Sequence, residues 1–147
     1  MKKIILSLII LFSLASGAQI PYTLENLKKL NLFYADRSGL FTKKEQEEIK
    51  KSILDKLTSH GFVQNAIDPS TLVVKIKTID IDDTIIANIT LLVGEEVITK
   101  REANIETLAL TFHLNNFVEL DEPTKDIKEL VDSMLGELLK LYKEDME

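Results

Sequence analysis

The chain predicts an α+β fold: a two-layer sandwich in which an antiparallel sheet of three to four strands carries two helices packed on one face. Three observations point there. A capping box at Thr42 opens an amphipathic helix, β-branched alternating runs fill the middle of the chain, and a longer amphipathic stretch closes it. Helices that share one apolar face of an antiparallel sheet make two layers around a single core. With 147 residues, 45% of them apolar and 29% charged, one such domain accounts for the composition.

At the N-terminus Lys2 and Lys3 precede the apolar run 4–12, and the small residues Ala15, Ser16, Gly17 and Ala18 follow. This is the pattern of a secretory signal peptide over residues 1–18, with cleavage expected after Ala18. Its apolar run falls short of the roughly 20 residues that span a bilayer. No cysteine occurs, so lipid attachment after cleavage is excluded, and so are disulfides, thiol nucleophiles and thiolate metal sites. The expectation is a soluble periplasmic or secreted protein, not embedded in the membrane once the leader is gone. Removing Lys2 and Lys3 from the 18 basic residues leaves 16 against 24 acidic ones, a formal charge of −8. That balance disfavours nucleic acid and anionic membrane surfaces as partners.

Residues 19–41 give mixed signals. Leu24, Leu27 and Leu30 fit a helical turn or two, while Leu32, Phe33 and Tyr34 fit a short strand, and Arg37-Ser38-Gly39 reads as a turn. The single α+β domain is read over residues 42–147. Thr42-Lys43-Lys44-Glu45 starts its first helix, Ile49, Ile53, Leu54 and Leu57 share one face, and Gly61 supplies the left-handed residue that ends it.

Residues 72–81 alternate as a strand, with Asp82-Asp83 as its turn. The next strand, residues 84–93, is expected to end at Gly94-Glu95-Glu96 and return over residues 97–101, and a last extended segment covers residues 105–114. Apolar parity changes between Val97 and Leu114, which predicts a bulge or bend between Ala103 and Thr107. The expected core face then carries Leu72, Val74 and Ile76; Ile85, Ala87, Ile89, Leu91 and Val93; and Leu108, Leu110, Phe112 and Leu114. Asp121-Glu122-Pro123 opens the final helix, which runs to about Lys143 with an apolar arc of about 180°. Gly136 inside it costs up to about 1 kcal/mol relative to Ala, which suggests that a neighbouring backbone approaches closely.

Chemistry-bearing patterns are few. The five glycines are scattered and form no phosphate loop, and no serine sits in the sharp-turn context of a nucleophile. Asp80, Asp82 and Asp83 lack the glycine and the twelfth-position ligand of a calcium loop, so they read as a turn. The pairs Glu95-Glu96 and Asp121-Glu122 are expected in solvated turns and do not read as a glycosidase pair. The triplet Asn88-Ile89-Thr90 matches a glycosylation acceptor but falls mid-strand. His60 reads as the cap of a helix, and His113 as a solvated strand residue. No cofactor or metal is expected.

If one sheet face is covered by helices, the other presents Lys75, Lys77, Asn88, Thr90, Thr107, Thr111 and His113, a hydrogen-bonding and locally basic wall on an acidic protein. Lys75, Lys77, Asn88, Thr90, Thr111 and His113 are the candidate ligand or partner surface. The order of helix, Gly61-Phe62, antiparallel strands and long amphipathic helix, over about residues 42–143, resembles small bacterial envelope accessory proteins, among them the lipopolysaccharide-assembly lipoproteins. It departs from the latter in lacking the lipidation cysteine. The resemblance implies an envelope protein partner and a part in envelope assembly or maintenance. The functional expectation is a non-enzymatic binding or accessory protein, with two alternatives: a small-ligand carrier, or a hydrolase using His113 as base. Oligomeric state is left open.

Overall fold

The computed structural model describes residues 24–67 and 70–146, so the expected signal peptide lies outside the described residues. Strand β1 (Leu30–Asp36) is followed by helix α1 (Lys43–Ser59), strands β2 (Ser70–Ile81), β3 (Thr84–Ile98) and β4 (Glu106–Glu119), and helix α2 (Pro123–Glu144). The strands form one sheet in the order β1-β2-β3-β4. The α+β class is as the sequence predicts, with one correction. β1 pairs with β2 in parallel, while the other two pairings are antiparallel. The reason lies in the connection: α1 intervenes between β1 and β2, and a helical crossover returns the chain to the same end of the sheet.

Local signals set the ends of the elements. The Glu45 amide donates to Thr42 Oγ1 at 3.3 Å and the Thr42 amide donates to Glu45 Oε2 at 2.9 Å, which closes the capping box of α1. At the other end Gly61 takes φ +88°, and the amides of Gly61 and Phe62 donate to the carbonyls of Thr58 and Leu57. Phe62 is thereby carried into the core, its ring centroid 4.4 Å from that of Tyr142. Asp82 and Asp83 both have positive φ, at 47° and 67°, the geometry of a tight two-residue hairpin between β2 and β3.

The hairpin expected at Gly94 does not form. β3 runs through it to Ile98, and the chain reverses instead over residues 99–105, where the Thr99 amide donates to the Ile105 carbonyl and Asn104 takes φ 43°. Glu95 and Glu96 therefore lie in a strand rather than a turn, and Glu95 accepts from Ser70 Oγ at 3.0 Å. The bulge is also displaced. Val93 faces Phe112 but Gly94 faces Leu110, so Thr111 is the extra residue. Inserting one residue reverses the parity of everything before it in β4. Leu108 and Leu110, expected in the core, are 67% and 57% exposed on the far face, and Leu108 lies 3.7 Å from where a side chain at Gly94 would begin.

The core is built from rungs that cross the sheet, Leu72–Val93–Phe112 and Val74–Leu91–Leu114, beneath Ile49, Ile53 and Leu57 of α1 and Ile127, Val131, Met134, Leu135 and Leu138 of α2. Leu24, Leu27 and Leu30 join it from the N-terminal side. Leu54, expected with them, is only half-buried. α2 touches β3, β4 and α1, as its wide apolar arc predicts. Gly136 corrects a further expectation: it is exposed, and nothing approaches within 4 Å of the place its side chain would occupy. Among the described residues no helix is long and apolar enough to cross a membrane.

Candidate functional site: the uncovered sheet face

Because both helices join the same core cluster, the opposite face of the sheet carries no helix among the described residues. Strand register decides which of the predicted residues meet there. Lys75 sits between Ala35 and Thr90, and Thr90 faces Asn115; the next rung is Lys77–Asn88–Phe117. On the other side of this centre runs the rung Phe33–Val73–Leu92–His113. Lys75, Lys77, Asn88, Thr90 and His113 thus share one face.

Thr111 and Thr107 do not join them. Thr111 is the bulged residue, and its hydroxyl is buried with no partner among the described residues. Thr107 faces Val97, on the side the bulge has reversed. Conversely, Asn115 was missed. Its Oδ1 accepts from Asn88 Nδ2 at 2.9 Å and from Thr90 Oγ1 at 2.8 Å, fixing both side chains in one network. Following the parity of His113 two residues further would have found it. The Asn88 amide of the glycosylation triplet is committed to this network, and also lies 3.4 Å from the Asn116 carbonyl.

The wall is also less polar than expected. Phe33, Leu110 and Phe117 are 57%, 57% and 63% exposed around the polar centre, and Val73 and Leu92 are half-buried between them. The bulge brought Leu108 and Leu110 here, which no parity count without it could show. Repulsion from the Lys77 ammonium, then partial burial and the Arg37 guanidinium, hold the Lys75 ammonium below the usual lysine range. A concentrated positive centre therefore sits on a chain whose formal charge is −6.

His60 lies at the end of α1, its Nδ1 2.9 Å from the Lys56 carbonyl, so it serves the helix terminus. His113 is exposed on the opposite side of the sheet, and the two cannot act together. Among the described residues no three His, Asp, Glu or Cys side chains are grouped to hold a metal ion. On this face the hydrogen-bonding groups lie among the exposed apolar side chains Phe33, Leu110 and Phe117. No family model matches the chain, and no curated protein matches it in sequence.

Proposed function

We propose that the protein is a non-enzymatic binding protein, exported to the bacterial periplasm, that docks an envelope protein on its uncovered sheet face as an accessory to envelope assembly or maintenance. The observation that supports docking is the set of large apolar side chains, Phe33, Leu110 and Phe117, exposed around Lys75, Lys77 and the Asn88–Thr90–Asn115 network. Large apolar side chains left exposed together mark interaction sites on soluble proteins, and aromatic anchors beside polar groups are the usual composition of an interface. The N-terminal lysines, apolar run and small residues support export.

Photo-crosslinking in the native host tests the docking. A crosslinker at His113 should retrieve one envelope protein, a crosslinker at the exposed Glu137 on α2 should not, and exchanging Lys75 and Lys77 for Glu should abolish the product. A partner that binds the double variant unchanged would end the reading. N-terminal sequencing of the exported protein should begin at Gln19.

A second reading, a small-ligand carrier, has one feature in its favour. A hollow of about 530 Å³ lies between the helices, lined by Ile49, Ile53, Val131 and Leu135. A bound molecule in native mass spectrometry, lost in Ile53→Trp, would support it.

A further inference from the structure

In the parallel ladder between β1 and β2, odd residues of β1 turn their amides and carbonyls toward β2. The Arg37 amide, donating to the Ile76 carbonyl at 2.9 Å, continues that pattern. Even residues therefore turn theirs outward, away from the sheet. At the start of the strand this outer edge is already paired: the Leu30 amide donates to the Val63 carbonyl at 3.1 Å, and the Val63 amide donates to Lys28 at 2.8 Å. The pairing stops after one bridge. Asn65 takes φ 56° and donates its amide to the Asn31 side chain at 2.8 Å, which leads the chain away from the edge. Leu32 and Tyr34 are left with outward amides and carbonyls that no described residue pairs.

Beside this open edge lies a cleft of about 600 Å³ between β1 and α1, lined by Leu32, Tyr34, Leu54 and Gln64 among others. It follows β1 from Asn31 to Tyr34, roughly 10 Å of strand, room for a short extended segment. The Tyr34 hydroxyl and the Gln64 side-chain amide are both buried without a hydrogen-bond partner, so the cleft wall holds polar capacity that the free protein does not use. Lys50 and Lys51 at the rim are balanced by Glu47 and Asp55, and Lys50 is paired with Glu47 at 2.7 Å. The balance favours an occupant without charge.

We propose that the free edge of β1 and the cleft under α1 form a docking site for an extended, uncharged peptide segment of a partner protein. The segment adds as a fifth strand where Val63 leaves off, bonding to the amides and carbonyls of Leu32 and Tyr34. Its alternate side chains lie against Leu32 and Leu54 on one side and Phe33 on the other. The site borders the open face at Phe33 but includes none of the Lys75–Asn115 centre, and it does not depend on the role proposed for that centre.

The test uses the purified protein and a phage-displayed library of random dodecapeptides. Selection should enrich peptides with apolar residues at alternate positions and no charge between them. The most enriched one, synthesised, should slow hydrogen exchange at the Leu32 and Tyr34 amides. Leu32→Pro and Leu32→Ala both remove the side chain, but only Pro removes the outward amide, and an edge position tolerates it. Binding to the Pro variant should be weaker than to the Ala variant by roughly fivefold or more. A peptide methylated on alternate backbone nitrogens should lose binding to the unaltered protein by a similar factor, which reads the same bonds with no variant to fold. Equal binding of the methylated and unmethylated peptides would overturn the proposal. So would enrichment of no peptide, or a dimer in sedimentation that protects both amides without peptide and so assigns the edge to a second copy.

Discussion

Single residues govern how the helices begin and end, and their effects are separable. Hydrogen bonds from the Thr42 amide, then from its hydroxyl, hold the Glu45 carboxyl below its ordinary value of 4.5. A carboxyl whose acidity rises on folding stabilises the fold above its unfolded value, and the contribution disappears as pH falls through the folded one. Acid titration of stability should therefore be shallower below pH 4.5 in Glu45→Gln than in the parent, read by urea midpoints at each pH. Gly136 gives the opposite kind of prediction. It is exposed and helical and its surroundings are empty. Gly136→Ala should raise stability by up to about 1 kcal/mol, seen as a higher thermal midpoint. A loss would restore the close approach that the sequence suggested.

At the scale of elements, the residue pattern located the helices well because their signals are local. The capping box, the Gly61 terminator and Pro123 each act within a turn or so of chain. Strand β4 was misread because a bulge is a relation between two strands. Leu108, Leu110, Phe112 and Leu114 have one parity in the sequence, yet Thr111 splits them between faces. Phe112→Ala should cost about 3–5 kcal/mol, since it is fully buried. Leu110→Ser should change stability by no more than about 0.5 kcal/mol while weakening partner capture. Denaturation of the two variants side by side tells the bulge at Thr111 from a regular strand, in which both would be severe.

For the whole molecule, the helical layer is held by its core rather than by charges. Lys56 and Asp132 pair across α1 and α2, but both side chains are partly solvated. Asp132→Asn should cost less than about 1 kcal/mol, whereas Met134→Ala, at the buried centre, should cost about 2–5 kcal/mol. Calorimetry on both variants checks the contrast. Of the candidate wall, Lys75, Lys77, Asn88 and Thr90 were legible because β2 and β3 alternate without interruption. The roles of Asn115, Leu110 and Phe33 were not, since each depends on which strand lies beside it. The amino-acid sequence alone determined the α+β class, the helix boundaries and which face of the middle strands is apolar, because burial period and capping are local properties of a chain. Tertiary structure alone decided the parallel edge made by the α1 crossover, the reversal of β4 at Thr111 and the unpaired rim of β1. Those follow from pairing between distant segments, where a shift of one residue moves a side chain from core to solvent.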